Sequence, residues 1–346
     1  MYAPAVEVVC RSTPQRLNED TWIAAQTGPL DDRIVIAAID GATTRMTAPA
    51  LQQYLDTLPV RLTPAALSAR VARDAMLHQI ATAMPPDLRT LMLEANSELG
   101  RLLISIFGDL SLDGMQFPPE VYNTLAHDPR LVRLGLPASA ATVAEYDPAA
   151  HTLRYAHVSD TLLLVAYRDG RVEVPTYEEK TAEPDTGIKQ MAQQLRAEHP
   201  DKTFEELLHM PEVMRVNLHN ALYHNFVDEH GLPQPSRGAG VLNGQPELRY
   251  FVQTGQVDLD NAMCACVMTD GLEWPPDADE IFTEDAVEAA GLREDRIAYM
   301  ASLILEHGLA GYLERLWQAK TDDPDHERYP RMKTHDDATG VMLRFA

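Results

Sequence analysis

The 346-residue sequence predicts an α+β protein. The expected architecture is a four-layer α/β/β/α sandwich, two antiparallel sheets flanked by helices. Three observations predict it. Short apolar runs rich in Ile and Val crowd both ends of the chain. Stripes of apolar residues at helical spacing lie between them. From 140 to 174, short segments separated by turn residues read as an antiparallel meander.

The elements follow in order. Residues 5–10 and 21–25 read as the first strands. Arg33 to Ile39 is a buried strand that stops at Asp40-Gly41. Thr63-Pro64 opens a helix, an N-cap followed by proline at the first helical position. Residues 86–106 carry Leu88, Leu91, Met92, Ala95, Leu99 and Leu103 on one helical face. Residues 107–137 read as loop. The meander runs through 140–146, 153–159, 162–167 and 171–174, with Asp169-Gly170 as a hairpin turn. Residues 183–234 are polar and helical, and read as a flap-like insertion in one domain spanning 1–346, not as a second domain. The three glycines within 236–244 suggest backbone held close to something. Residues 262–269 form another apolar strand, stopping at Asp270-Gly271. Helices are expected over 279–301 and 308–320, and a closing strand over 341–345.

Composition narrows the function. A formal charge of −23 and no basic patch exclude a nucleic-acid surface or an anionic membrane surface as partner. The longest apolar stretch, 99–107, contains Gly100 and Arg101 and is far short of the ~20 residues a membrane span needs. Three cysteines without a spaced framework suggest a reducing compartment. Cys264 and Cys266 alternate along one strand and read as small core hydrophobes. The N-terminus lacks the pattern of a signal peptide. A soluble, cytoplasmic protein is expected. Five histidines, His199, His209, His219, His224 and His230, fall in the insertion. His219 and His224 are five apart, a poor fit to helical i, i+4 spacing, so solvated or capping roles are favoured over a zinc site.

The chemistry lies in acids at strand ends. They are Glu19 with Asp20, Asp40, Asp270 and Asp336. An Asp just past a buried strand has a fixed backbone and an accessible side chain, and the glycine after it lets backbone approach closely. A single Asp-Gly is ordinarily turn chemistry; the joint pattern points to a shared site. Carboxylate oxygens suit hard cations such as Mg²⁺ and Mn²⁺. Two such ions roughly 3.5–4 Å apart can activate water and clamp a phosphoryl group. The acids therefore point to a phosphate-ester hydrolase.

Taken together, five segments resemble the metal-dependent Ser/Thr protein phosphatases of the 2C type, in their bacterial form. They are Arg16 to Thr21, Ile36 to Ala42, Ala138 to Val143, Tyr155 to Thr161, and Thr269 to Leu272 with His335 to Thr339. The resemblance covers nearly the whole chain, and Glu94-Ala95-Asn96 is similar to the family's first long helix. It implies two Mn²⁺ or Mg²⁺ ions, bridged by Asp40 with help from the Gly41 carbonyl. It places Glu19 on the second ion, Asp270 and Asp336 on the first, and Asp160 with Asp270 on a weaker third. Asp20 would orient the attacking water. The implied substrate is a phosphorylated protein, with a Ser/Thr kinase acting on the same targets, and the expected state is a monomer.

Departures from the family pattern matter. The arginine expected four residues before Glu19 is Gln15, with Arg16 one residue late; Arg11 and Arg45 are alternatives for holding the phosphate. Ala42 stands where some members carry a histidine. Trp274, beside Glu273, replaces a frequent acid. A catalytically weak pseudophosphatase that binds phosphoproteins is the main alternative. A Ca²⁺-binding protein is disfavoured, because no Asp-x-Asp-x-Asp-Gly loop with a closing Glu occurs.

Overall fold

The structure, a computed structural model, describes every residue except 1–2, 15, 28–31, 43–45, 47, 83–86, 111–127, 177–181, 235–237, 284 and 346. The strands are β1 (Ala5–Arg11), β2 (Thr21–Gln26), β3 (Ile34–Ala42), β4 (Ala138–Asp147), β5 (Thr152–Val158), β6 (Leu162–Tyr167), β7 (Val172–Glu173), β8 (Gln253–Asp258), β9 (Ala262–Met268) and β10 (Ala338–Arg344). They form two five-stranded antiparallel sheets, in the orders β1-β10-β9-β6-β7 and β2-β3-β4-β5-β8.

Both sheets are covered on both faces, which explains the unbroken apolar runs. In β3, Ile36 and Ala38 point into the core between the sheets, with Val165, Val267 and Val341 of the other sheet. Val35, Ala37 and Ile39 point the other way, onto helices. Those helices are α2 (Pro64–Thr82) and α3 (Leu88–Phe107), preceded by a short α1 (Pro49–Asp56). The Thr63 hydroxyl caps α2 by accepting from Ala66 N at 3.1 Å. On the far sheet, Cys264, Cys266 and Met268 of β9 pack outward with Ile304, Tyr312 and Leu316. Both cysteines are buried core residues, as the alternation predicted. The result is the expected order of layers, helix, sheet, sheet, helix.

The remaining helices are α4 (Val132–Gly135), α5 (Ala182–Glu198), α6 (Phe204–Leu208), α7 (Pro211–Ala221), α8 (Ala278–Phe282) and α9 (Ala286–Thr321). Helix α9 bends at Gly308, whose φ of 68° interrupts it where the sequence predicted a break. The predicted insertion corresponds to α5, α6 and α7, which share a small apolar core around Leu195, Phe204, Leu207 and Val213.

Two expectations need correction. The stretch 107–137 is not all loop, since residues 129–135 form a 3₁₀ turn running into α4. The meander is not one sheet. β4 pairs with β5 in one sheet, while β6 pairs with β7 and β9 in the other. Periodicity reports which side chains are buried, not which sheet receives the strand. The crossing occurs at Ser159, which adopts a left-handed φ of 70° and leads directly into Asp160.

Candidate metal centre

The acids meet where the ends of the two sheets face each other. Strand β3, between β2 and β4, delivers Asp40, in register with Ala140 of β4. β9 ends just before Thr269 and Asp270. Thr269 N donates to Thr339 O at 2.9 Å, and Thr339 N donates back to the Thr269 hydroxyl at 3.0 Å. This fixes Asp270 beside the segment that carries Asp336 and Asp337. The Thr269 hydroxyl also donates to Asp20 Oδ2 at 2.8 Å, which ties the N-terminal acids to the far sheet. Asp337 completes the stitching: its carboxylate accepts from Glu19 N at 2.7 Å and from Thr13 N at 2.9 Å.

Two glycines make this packing possible. A Cβ at Gly41 would lie 2.6 Å from Glu19 O. A Cβ at Gly271 would collide with the carbonyl oxygen of Asp337. The glycines after Asp40 and Asp270 therefore admit the backbone that carries the other acids.

Clustered carboxylates behave abnormally. Burial, with the charges of Asp270, Asp337 and Asp336, pushes the Asp20 carboxyl up to about 8. Burial, then the charges of Asp20, Asp270 and Asp160, raise Asp40 well above the usual range. Asp270 is raised by burial and by Asp336, and shares a hydrogen bond with Asp40. Asp270 is open to the cleft, so solvent screens it more than Asp20, and only the direction of its shift follows from the geometry.

Two lysines that the sequence reading did not single out stand beside the acids. Lys333 Nζ lies 2.8 Å from both carboxylate oxygens of Asp336. Lys320 is buried and donates to Gly271 O at 3.3 Å; burial lowers its pKa against the pull of Asp270 and Asp336. Asp337 was passed over in favour of its neighbour. The adjacent acid pair was its only sequence signal, and the lysines had none.

A cleft of about 700 Å³ collects these groups. Arg16, Glu19, Asp20, Asp40, Gly41, Asp160, Asp270 and Asp336 all line it, as does Glu273. Arg133 of α4 lines it too, with His209 and His224 from the 183–234 segment. Other residues lie elsewhere. Arg11 stacks on the Trp317 ring at 4.0 Å and pairs with Glu314 at 2.6 Å, outside the cleft lining. His219 packs edge-on against Tyr223 at 5.2 Å. Arg45 lies outside the described residues. Trp274 packs among Tyr299, Tyr312 and Tyr329 on the wall of a separate hollow of about 800 Å³, which holds none of the predicted acids.

The donor set suits a hard divalent cation in kind: carboxylates from both sheets, crowded onto one cleft. In the present geometry they are bonded to one another, Asp40 to Asp270 and Asp336 to Lys333. Among the described residues, no three or more His, Cys, Asp or Glu side chains stand in the spacing of a bound ion.

No protein-family profile matches the chain, and no curated protein sequence does. Solved structures do align with it. The Ser/Thr phosphatase Stp1 from Staphylococcus aureus is 12% identical, with a TM-score of 0.49 over 100% of this chain and 96% of that one. The Ser/Thr phosphatase PstP/Ppp from Mycobacterium tuberculosis is 14% identical, with a TM-score of 0.42 over 99% of each chain. RsbX in complex with magnesium is 10% identical, with a TM-score of 0.42 over 99% of this chain and 94% of that one. At such scores the functional reading of the cleft rests on this chain's own residues. Stp1 and PstP/Ppp, two of the solved structures that align with the chain at low sequence identity, are Ser/Thr phosphatases of the kind its motifs resemble in sequence.

Proposed function

We propose that this chain is a metal-dependent phosphatase that hydrolyses phosphoserine and phosphothreonine in proteins. The observation that carries the reading is the meeting of Asp20, Asp40, Asp270 and Asp336, from both sheets, on one cleft. Carboxylates crowded this closely repel one another unless a cation neutralises them.

Asp40, Asp270 and Asp336, with Glu19 and the Gly41 carbonyl, would hold two Mn²⁺ or Mg²⁺ ions, and Asp160 with Asp270 a weaker third. When bound, the ions supply Lewis-acid charge and lower the pKa of water. Asp20, held at Oδ2 by the Thr269 hydroxyl, orients the attacking water and can take a proton from it. Arg16, exposed at the rim, offers a cation to the phosphoryl oxygens. Ala42 offers no acid for the leaving serine or threonine oxygen, so solvent supplies that proton. The helical insertion, α5 to α7, forms part of the cleft's lining and selects among phosphoproteins, as inserts on a rigid scaffold commonly do. The expected setting is a cytoplasmic monomer opposing a Ser/Thr kinase.

One observation favours a second reading, a pseudophosphatase that binds phosphoproteins without cleaving them. Lys333 already neutralises Asp336, so the chain carries a cation of its own where an ion would sit. Hydrolysis of p-nitrophenyl phosphate and of a phosphothreonine peptide, in Mn²⁺ against EDTA, separates the two. The phosphatase reading expects metal-dependent turnover that Asp40→Asn abolishes. Binding of the phosphopeptide without turnover would select the pseudophosphatase.

A further inference from the structure

We infer that Arg133 is the guanidinium that grips the substrate's phosphate, from its place in the lining of the acid cleft. The inference rests on the phosphatase reading for its substrate and on separate observations for the residue. A chain of net charge −23 repels a phosphorylated protein, so binding needs a cation placed inside the cleft. Among the arginines considered for this task, Arg11 is already paired and stacked. Arg16 is exposed at the rim. Arg130, near Arg133, is paired with Asp128 and lies over the Tyr223 ring at 4.5 Å.

Arg133 differs from Arg11 and Arg130 in lining the cleft, and from Arg16 in being half-buried. It lines the cleft, and among the described residues it has no carboxylate ion-pair partner. Its Nε is buried with no hydrogen-bond partner. Its nearest ring contact is Phe226, at 6.0 Å. Burial lowers its pKa against the nearby charge of Glu247, and Arg130 adds like-charge repulsion. An Nε–H withdrawn from water and left unpaired is costly, and a planar fork of N–H donors matches a phosphate dianion.

The fold places this group close to the acids along the chain path. Arg133 lies five residues before Ala138, and Ala138 pairs with Ala42, Ser139 with Gly41, and Ala140 with Asp40. The turn that carries Arg133 therefore feeds directly into the strand pair that carries Asp40. Leu134, Leu136 and Ala138 continue the cleft lining along this path. Acids and a guanidinium lining one cleft would hold a phosphoryl group between them.

The test compares the parent with Arg133→Met, Arg133→Lys and Arg16→Met. Calorimetry in Mn²⁺ measures binding of a phosphothreonine peptide and of its unphosphorylated twin. Arg133→Met should weaken binding of the phosphopeptide about 10- to 100-fold, the scale of a lost charge-assisted pair. It should leave the unphosphorylated peptide unchanged and raise KM for p-nitrophenyl phosphate more than it lowers kcat. Arg133→Lys should recover part of the loss, and Arg16→Met should matter less. Thermal unfolding checks that Arg133→Met is folded; if it is not, the comparison of Arg133→Lys with Arg16→Met decides, with the larger loss expected in Arg133→Lys. Parent-like phosphopeptide binding in a folded Arg133→Met overturns the inference, and so does a parent that does not prefer the phosphorylated peptide. Arg133-dependent binding without turnover in any metal keeps the inference and removes the hydrolytic reading. Normal turnover with binding indifferent to Arg133 does the reverse.

Discussion

Asp20 is 5% exposed, is surrounded by other acids, and is bonded through Oδ2 to the Thr269 hydroxyl. Replacing it by asparagine removes a charge and keeps an oxygen that can accept from Thr269. The carboxyl is pushed up from 3.8 to about 8 by burial and by its acidic neighbours. For an acid raised in this way, the folded state is favoured below the unfolded pKa and loses ground as pH climbs towards the folded one. At pH 7 about three pKa units separate the unfolded carboxyl from the solution pH, so the penalty is about 4 kcal/mol. Asp20→Asn should therefore stabilise the metal-free protein by up to that amount, a rise in Tm of roughly 5 °C for a domain of this size. The assay is thermal and urea unfolding in EDTA from pH 5 to 8, repeated in Mn²⁺. The advantage of the variant should grow with pH in EDTA. It should shrink in Mn²⁺, because the parent gains about 2.7 kcal/mol at a hundredfold excess over Kd. A variant equal to or less stable than the parent in EDTA at pH 7, or an advantage independent of pH, would refute the reasoning.

Three further outcomes are expected. Lys333→Met removes the ammonium from the Asp336 oxygens and should tighten Mn²⁺ binding about tenfold by calorimetry, since a competing local cation is gone; weaker binding would show that the lysine supports the site. Gly271→Ala drives a Cβ into the Asp337 carbonyl and should cost at least about 3 kcal/mol in urea unfolding; parent-like stability would contradict the packing. His157 is buried, bonded through Nδ1 to the Thr142 hydroxyl at 2.8 Å, and burial pushes it down to about 4. The unfolded imidazole gains its proton below about 6.5, so the parent should lose up to about 3 kcal/mol between pH 6.5 and 4. His157→Gln should flatten that slope, read as the difference in urea midpoints against pH.

Much of this molecule was legible in the sequence because the physics was local. Ile34 to Ile39 had to be buried on both sides, and Asp40-Gly41 had to end that strand. Asp20, Asp40, Asp270 and Asp336 could be singled out because each lies near one end of an apolar run, while Asp160 came only with the family resemblance. The rest depended on partners far away in the chain. No local signal says that residues 162–167 leave the sheet holding 152–158. Nothing in Met332-Lys333-Thr334 announces an ammonium against Asp336. Arg133 sits in a stretch read as loop, where charge is ordinary, and its meaning comes from the missing partner at its Nε. The glycines were noticed for the wrong neighbour: they make room for the backbones of Glu19 and Asp337, not only for an ion.

The position of β10 bears on how the chain is made. This strand lies between β1 and β9, and β1 has no other neighbour in its sheet. Glu7 meets Arg344 across 337 positions, and Glu19 meets Asp337 across 318. During synthesis the first strand must wait, unpaired, until residue 344 has been added. Contacts at such separation form late and slowly. The acid cleft shares that timing, because Asp337 joins the two ends of the chain. A nascent fragment ending before 336 thus lacks both the strand that closes the sheet and the acids that complete the cleft. On this topology the cleft is complete only when the polypeptide has been made through β10.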